Sequence, residues 1–404
     1  SSSAASDVYK RQDWYDAPDP RPDYYRNLPS YFYMDNTDYN RRNFAKYAWA
    51  KEAWETDLPS TTHINWDRLY AVNSLNSTAS GNRSKYVIEE RRVDQNDLNF
   101  AVNAKWNPVK FLTVNGGLSY KWNRTEYYKI LDDLLGGDYY VNIDQFAERD
   151  FAAYPTMIQN DLDYYLRNGA AQTLAQGDKY GYDYYAHVRR AEAWASGRFT
   201  FGGFEATVAG RLGYSKFWRE GLLRKGLFPG LDDNGNPFTY NGEVITKYDQ
   251  MDGRPITSKG ESDKKDFLTG SGKINLGYFI SGGHRIYADA AYITEAPTFN
   301  QAFISPRTRN IVMPDLKTIK TLTADINYAY SNSGYDVRVT GFYTSIKDQT
   351  DVMSFYDDSQ NSFTNFAMSG IDERHVGVEL GFKVPTPVPN LSLQGVFTYG
   401  QYIY

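Results

Sequence analysis

Apolar and polar residues alternate along many segments of the chain. In the first clear segment, Leu98, Phe100 and Val102 fall on one face, and Asn99 and Asn103 fall on the other. Successive side chains of a β-strand point to opposite faces, so this alternation predicts strands with one apolar and one polar face. The pattern recurs ten times, at roughly 98–106, 112–122, 191–201, 204–214, 270–280, 286–292, 322–330, 335–343, 376–382 and 391–399.

The predicted connections alternate between short and long ones. Short turns join the strands in five hairpins, at 107–110, 202–203, 281–284, 331–334 and 385–390. Long connections follow at roughly 126–182, 219–264, 296–316 and 350–370. Connections of that length are uncommon in compact soluble domains. We therefore predict an all-β, antiparallel transmembrane outer-membrane β-barrel, with short periplasmic turns and long extracellular loops.

A soluble β-sandwich or β-propeller also contains alternating strands. Three features favour the membrane barrel: the long strands, the unequal loops, and polar faces that mix Arg, Glu, Lys, Asn and Thr as a wet lumen requires. Aromatic residues such as Trp106, Trp122 and Tyr214 lie toward strand ends, where membrane barrels carry aromatic girdles. The barrel is therefore the preferred interpretation.

Composition removes several other classes of protein. The 404 residues include 36 Tyr, 22 Phe and 8 Trp but no Cys, and the mean hydropathy is −0.63. No run of about 20 apolar residues is present, which excludes a helical membrane protein. The aromatic content argues against disorder, and the lack of Cys excludes disulfides and thiolate metal sites. With 44 basic and 49 acidic residues, a general nucleic-acid footprint is not indicated.

No enzymatic signature is present in the sequence. The four histidines are far apart and form no zinc-binding pattern; they are His63, His187, His284 and His375. We therefore predict a protein that is not an enzyme, with no catalytic residue, no metal ligand and no cofactor.

Two short motifs superficially suggest ligand sites. Gly270–Lys273 resembles a phosphate-binding loop, but Phe267 and Ile274 stand where a Walker A motif needs Gly and Ser or Thr. Lys273 is instead interpreted as facing the lumen. The oxygen-rich segment Asp232–Asn236 does not have the spacing of an EF-hand and contains Asn-Gly, so we interpret it as a turn.

The predicted outer loops are rich in Tyr and Trp. These side chains offer a stiff apolar surface with a polar group at one end, which suits binding of sugars, peptides or metal chelates. The candidate ligand-binding residues are Trp49, Trp54, Trp66, Tyr139, Tyr140, Tyr164, Tyr165, Tyr184 and Tyr185. Alternatively, these aromatics pack the loops on each other or on a partner lipoprotein. Segments 43–56 and 143–168 are predicted to hold short helices.

Several runs of sequence resemble the barrel of TonB-dependent outer-membrane receptors. The most specific are Ala290–Phe303 (AAYITEAPTFNQAF) and Ser305–Asn310 (SPRTRN), and Gly341–Thr350, Met368–Leu380, Pro22–Tyr31 and Ile64–Tyr70 fit the same family. The resemblance covers about residues 13–404. It is strongest to the Bacteroidetes type, which often carries a carboxypeptidase-regulatory-like extension at the N-terminus.

The resemblance implies a 22-stranded barrel around an N-terminal plug, preceded by a TonB box. The sequence shows about ten strands and neither plug nor box. We expect residues 13–404 to be part of the barrel, beginning in an extracellular loop and truncated at the C-terminus. Residues 1–12 (SSSAASDVYKRQ) resemble a translated sequencing adaptor, and we expect them to be non-native.

The same resemblance implies a function. It predicts an outer-membrane receptor of a Gram-negative bacterium that takes up a scarce solute (a siderophore, cobalamin, a glycan or a peptide) with energy from TonB. The implied partners are outer-membrane lipid, the TonB complex through the missing N-terminal region, the small or oligomeric ligand and a surface lipoprotein, without nucleic acid. The alternatives are a passive porin or surface adhesin, and a soluble glycan-binding β-domain.

Overall fold

Ten long strands dominate the computed structural model, which describes residues 6–8, 19–33, 43–250, 252–357 and 362–404. They pair antiparallel with their chain neighbours in one continuous sheet. The strands are β1 (Ile88–Val109), β2 (Leu112–Asp133), β3 (Lys179–Phe201), β4 (Phe204–Gly221), β5 (Lys265–Ile280), β6 (His284–Glu295), β7 (Ile319–Asn332), β8 (Tyr335–Asp357), β9 (Ser362–Pro385) and β10 (Ser392–Ile403). The ten predicted strands and their pairing in hairpins are confirmed.

Short elements fill the connections. The helices are α1 (Pro29–Tyr33), α2 (Phe44–Glu55), α3 (Pro59–Thr62), α4 (Trp66–Leu75), α5 (Gln145–Asp150), α6 (Leu162–Asn168) and α7 (Phe299–Ala302), with 3₁₀ turns at Tyr25–Asn27 and Ser281–Gly283. Short strands lie at Ser77–Thr78, Gly81–Asn82, Tyr140–Val141, Thr173–Leu174, Thr239–Tyr240, Glu243–Val244 and Gly260–Glu261. The predicted helices in 43–56 and 143–168 are confirmed. No helix among the described residues is long and apolar enough to cross a membrane.

The predicted non-native segment, residues 1–12, is described only in part. Ser6–Val8 pairs antiparallel with the start of β1, Ser6 lying opposite Glu90. The rest of that segment, and residues 13–18, lie outside the described residues. The proposed origin of residues 1–12 stays a prediction.

The outer face of the sheet is apolar and exposed. Leu98, Leu212 and Leu268 keep 62%, 67% and 76% of their surface accessible. The register keeps such side chains together, because Ile274 lies between Val208 on β4 and Ala290 on β6. We call this surface the apolar band: the outward-facing apolar side chains of β1–β10, from the short turns up to the level of Leu268. Exposure of large apolar residues on a continuous face is expected where the solvent is lipid.

The strands continue well beyond the apolar band. A membrane-spanning strand needs about 9–11 residues, whereas β1 and β2 each contain 22.

The predicted long loop at 350–370 is wrong, because Thr350–Asp357 and Ser362–Ser369 pair as the parts of β8 and β9 farthest from the short turns. A strand that leaves the membrane meets water on both faces and loses the apolar alternation that marks it in sequence. The pairing there also contains a bulge near Gln349.

The buried apolar residues are concentrated at the end with the long loops. One cluster contains Tyr184, Phe217, Phe299 and Phe303, and another contains Leu131, Tyr140, Leu174 and Tyr180. A third joins Leu69 of α4 to Tyr86 and Leu135. The loops therefore have a core of their own, which holds them in fixed positions above the sheet.

Candidate ligand-binding site

Three long loops pack together at the end of the sheet opposite the short turns. We call the loops 134–178, 222–264 and 296–318 the vault. Arg224 joins the first two: its carbonyl accepts from the Leu162 amide at 2.7 Å, and its Nε donates to Asp163 Oδ1 at 2.8 Å. Its Nη1 donates to the carbonyls of Pro229 and Leu231. These bonds satisfy a guanidinium that is almost fully buried.

Lys225, the next residue, is buried, and its ammonium forms no salt bridge with any described carboxylate; Asp144 acts on it only from farther away. Its Nζ donates to Asn160 Oδ1 at 2.7 Å and to the Gly181 carbonyl at 2.5 Å. Burial lowers the pKa of the Lys225 ammonium to about 8, because desolvation penalises the charged form. The side chain thus links two loops to β3 through neutral acceptors only.

Arg219, on β4, ties the third loop to the second. Its guanidinium lies 4.9 Å from the ring centre of Tyr184, and its Nη1 donates to the Ser258 carbonyl at 2.8 Å and to Asn310 Oδ1. Its Nε donates to the Pro306 carbonyl. A planar, five-donor cation is suited to hold several carbonyls in one place.

Helices of the vault begin at residues that cap them. Asp144 Oδ1 accepts from the amides of Phe146 and Ala147, and Asp161 Oδ1 accepts from the Tyr164 amide. Such caps satisfy amides that have no partner within the helix and stabilise each start by about 1 kcal/mol. The loop at Asp232 forms the predicted turn, since Asp232 Oδ1 accepts from the amides of Asn234 and Asn236.

Helix α4 is fixed to the sheet through one buried amide. Asn73 Nδ2 donates to the carbonyls of Tyr86, Leu134 and Leu135, at 2.7, 2.8 and 3.1 Å. Its Oδ1 accepts from the amides of Lys85 and Tyr86. All the hydrogen-bonding capacity of this side chain is used to hold α4 against the start of β1 and the end of β2.

A pocket of about 290 Å³ lies between α2, α4 and the segment before α1. Trp49 and Phe32 contribute aromatic rings to it, and His63, Asn65 and Arg68 contribute polar groups. Trp49 is 55% exposed. Leu69 and Tyr86, which belong to the apolar cluster at α4, also line the pocket.

A larger cavity of about 750 Å³ lies between residues 249–267 and 310–316. Its charged lining is dominated by acidic side chains, and Arg254 in it is held by Asp252 and Asp263 at 2.6 and 2.9 Å. No group of three or more His, Cys, Asp or Glu in the part of the chain described could hold a metal ion.

The structure separates the nine predicted ligand-binding aromatics. Trp49, Trp54 and Trp66 belong to α2 and α4, and Tyr139, Tyr140, Tyr164 and Tyr165 belong to the first loop of the vault. Of the nine, only Trp49 lines one of the two cavities described above. Their role in binding stays a prediction.

Two of the nine were assigned to loops, but lie in a strand. Tyr184 and Tyr185 belong to β3, since that strand begins at Lys179. Tyr184 faces inward and stacks on Tyr127 at 5.1 Å, under Phe299. Tyr185 faces outward, with Arg124 4.7 Å from its ring centre. The placement was missed because β3 extends above the apolar band, where alternation fades.

The polar residues that organise the site were not found by sequence reasoning. Asn73, Arg219 and Lys225 lie among ordinary loop and strand residues, and no motif marks them. The predicted inward orientation of Lys273, on β5, is confirmed, since its Nζ lies 3.5 Å from Asp289 Oδ1 on the inner face.

A sequence model of one family matches nearly the whole chain. The family is the TonB dependent receptor-like β-barrel, and the match covers residues 3–404. A comparison with curated proteins found no match.

The fold is similar to that of solved receptors. The copper transporter OprC superposes with a TM-score of 0.51 at 13% identity, over 82% of this chain and 41% of OprC. The ferric citrate transporter FecA in its unliganded form gives 0.45 at 11%, over 78% and 36%. The ferric yersiniabactin uptake receptor FyuA from Yersinia pestis gives 0.43 at 13%, over 78% and 37%. The chain spans less than half the length of each of these proteins.

The family and the fold agree with a sheet that has one apolar outer face and one polar inner face, and with long loops packed at one of its ends. They place the protein in the outer membrane and set aside the soluble glycan-binding alternative. The chain belongs to the TonB-dependent receptor family, whose barrels lie in the outer membrane of Gram-negative bacteria.

Proposed function

We propose that the chain is part of a receptor that captures a scarce solute outside the cell and takes it up with energy supplied through TonB. The observation that carries this proposal is the contrast between the two ends of the sheet. The end with short turns has an exposed apolar band, and the other end supports a vault with its own core. A passive pore needs no such set of loops packed around a core of their own.

We further propose that the solute first contacts the pocket at Trp49. An exposed indole ring beside Phe32 provides flat apolar surface, and Asn65 and Arg68 provide hydrogen-bond donors at the rim. Arg68 has no ion-pair partner among the described residues. Flat apolar faces next to hydroxyl groups are features of sugars, so an oligosaccharide fits this pocket best among the four solute classes.

Uptake by cells tests the energy requirement. Cells that express the receptor containing this chain are given four labelled probes: ferric citrate, cobalamin, maltoheptaose and a tripeptide. We expect accumulation of one probe, maltoheptaose in the first instance, and its loss when a protonophore or deletion of TonB removes the energy supply. A cell lacking the receptor is the control.

The passive porin predicts the opposite dependence on energy. If the protein is a passive porin, cells should take up all the small probes even with the protonophore present. Liposomes that contain the purified protein should then also swell. These two results together would reject the receptor hypothesis in favour of the porin. An adhesin predicts binding to a surface partner without uptake of any probe. A surface lipoprotein as partner, and the Bacteroidetes type, stay predictions.

A further inference from the structure

Three cations face outward on neighbouring strands, directly above the apolar band. Arg124 on β2, Arg189 on β3 and Lys216 on β4 make up what we call the outer-wall patch. Cross-strand register brings them together: Arg189 lies opposite Trp122 on one side and Lys216 on the other.

The direction of these side chains follows from the alternation of the strands. Arg124 has the same parity as Leu118, which is 62% exposed in the apolar band. The intervening positions point the other way: Asn123 and Thr125 are buried on the inner face. On β4, Ser215 and Phe217 are likewise buried beneath the vault. The outer-wall patch therefore lies on the membrane side of the sheet, at its long-loop end.

Aromatic rings hold the two guanidiniums in place. Arg189 lies 4.7 Å from the ring centre of Trp122 and 5.2 Å from that of Trp218. Arg124 lies 4.7 Å from the ring centre of Tyr185. Trp and Tyr on the outer surface of a barrel mark the boundary between hydrocarbon and water, so the outer-wall patch lies at the level of lipid headgroups.

The patch lacks counter-ions of its own. Among the described residues, no carboxylate oxygen lies within 4.0 Å of Arg124, Arg189 or Lys216. The charged neighbour of Arg189 is Arg124, another cation. Arg189 Nη1 donates only to backbone carbonyls, those of Asn123 and Val188. Arg124 Nε is buried and has no hydrogen-bond partner among the described residues, so the terminal Nη atoms are the donors that Arg124 can offer to a phosphate.

The carboxylates nearby are engaged elsewhere or lie farther away. Glu220 Oε2 is 2.8 Å from His187 Nε2, and Glu261 Oε2 is 2.8 Å from Lys264 Nζ. Glu126 is paired with Lys179. Asp266 is opposite Lys216 in the register but beyond salt-bridge distance. The patch therefore presents unneutralised cations toward the membrane.

We propose that the outer-wall patch binds the phosphate groups of a lipid in the outer leaflet. Guanidinium groups bind phosphate through paired, charge-assisted hydrogen bonds, and cations near a membrane surface attract anionic headgroups. The occupant is a lipid rather than a free anion, because the apolar band directly below accepts acyl chains. This site is separate from the inner face and the vault, so it does not depend on the function proposed above.

Binding of a phosphorylated lipid tests the proposal. The protein is purified from outer membranes in detergent and titrated with fluorescent lipid A, with lipid A from which both phosphates have been removed, and with inorganic phosphate. We expect R124Q/R189Q to bind lipid A about tenfold or more weakly than the unaltered protein, since each basic residue near a lipid surface contributes substantially to binding.

The matched control removes two cations from the same strands. Lys121 and Arg190 lie opposite each other on β2 and β3 and face inward, so K121Q/R190Q should bind lipid A as the unaltered protein does. The unaltered protein should also prefer lipid A to its phosphate-free form, a comparison that needs no variant. Equal binding of the two lipids, equal losses in both variants, or competition by inorganic phosphate at the concentration of lipid A would overturn the proposal.

Discussion

The apolar band and the vault are built in opposite ways. In the band, large apolar side chains such as Leu212 are exposed, at 67% of their surface. In the vault and the strand ends beneath it, charged side chains such as Arg219 and Lys225 are buried, with 2% and 6% exposed. The outer face of the band is in contact with lipid instead of water, so apolar side chains are stable when they face outward. The vault is surrounded by water, so its stability depends on apolar clusters and on fully satisfied buried polar groups.

The largest loss of stability is expected at Asn73, the buried polar residue that fixes α4 to the sheet. Asn73→Ala leaves the carbonyls of Tyr86, Leu134 and Leu135 and two amides without their partner. Unsatisfied buried groups cost about 1–3 kcal/mol each, so the opening free energy of α4 should fall by about 3 kcal/mol or more. Hydrogen exchange of the α4 amides measures it.

Asn65→Ala is the matched control for that change. Asn65 is exposed, and its Oδ1 caps α4 by accepting from the Arg68 amide at 3.0 Å. Asn65 also lines the solute pocket, but hydrogen exchange of α4 is measured without solute. Its loss should cost about 1 kcal/mol. Equal effects of the two substitutions would show that Asn73 does not anchor the helix.

A charge placed in the apolar band should be the next most damaging change. Ile274→Arg puts a guanidinium among Val208 and Ala290 on the outer face, which should cost about 2–4 kcal/mol near the membrane centre. Asn275→Arg, one position along, faces inward and should cost little. Urea unfolding of both variants in lipid vesicles compares the two faces, and similar losses would contradict the assignment of the band.

Titration of Lys225 should make the vault more stable at alkaline pH. Because burial lowers its pKa to about 8, the folded protein releases this proton before the unfolded chain does, near pH 10.4. Stability should therefore rise as pH increases from about 8 to 10, by up to about 3 kcal/mol. Protection factors of the Gly226 amide, which donates to the Gln159 carbonyl, measure it. Lys225→Met should abolish the dependence, and an unchanged slope would exclude Lys225 as its source.

The smallest effect is expected at the proposed solute pocket. Trp49→Ala should weaken uptake of labelled maltoheptaose about fivefold, since one stacked aromatic ring contributes about 1 kcal/mol to a contact. Trp66→Ala is the control, because Trp66 is also exposed but does not line the pocket. Equal uptake by both variants would remove the pocket at Trp49 from the solute path.

The two regions also differed in what the sequence could predict. Alternation identified all ten strands near the apolar band, because lipid on one side and water on the other impose a period of two on residues such as Leu98 and Asn99. It missed the parts of β8 and β9 beyond the band, and it placed Tyr184 and Tyr185 in loops. There the outer face meets water instead of lipid, and at Tyr184 the inner face packs against the loops, so the period of two that the membrane imposes is lost.

The vault could not be predicted for a different reason. Lys225 meets Gly181 and Arg219 meets Asn310 across long stretches of chain. These pairs depend on how separate loops pack, which leaves no local period in the sequence. Short helices are local features, and those of 143–168, which begin at the caps Asp144 and Asp161, were predicted.

We predict that one face of the sheet meets lipid and the other meets water. Accessibility to lipid and to water can be measured residue by residue along one strand. The chain has no Cys, so single cysteines can be introduced at positions 206–212 of β4 and spin-labelled in lipid nanodiscs. Labels at 206, 208, 210 and 212 should be accessible to oxygen and shielded from a water-soluble nickel complex, and labels at 207, 209 and 211 should show the reverse. Equal accessibility at all seven positions, or alternation in the opposite phase, would contradict a sheet whose apolar face meets lipid.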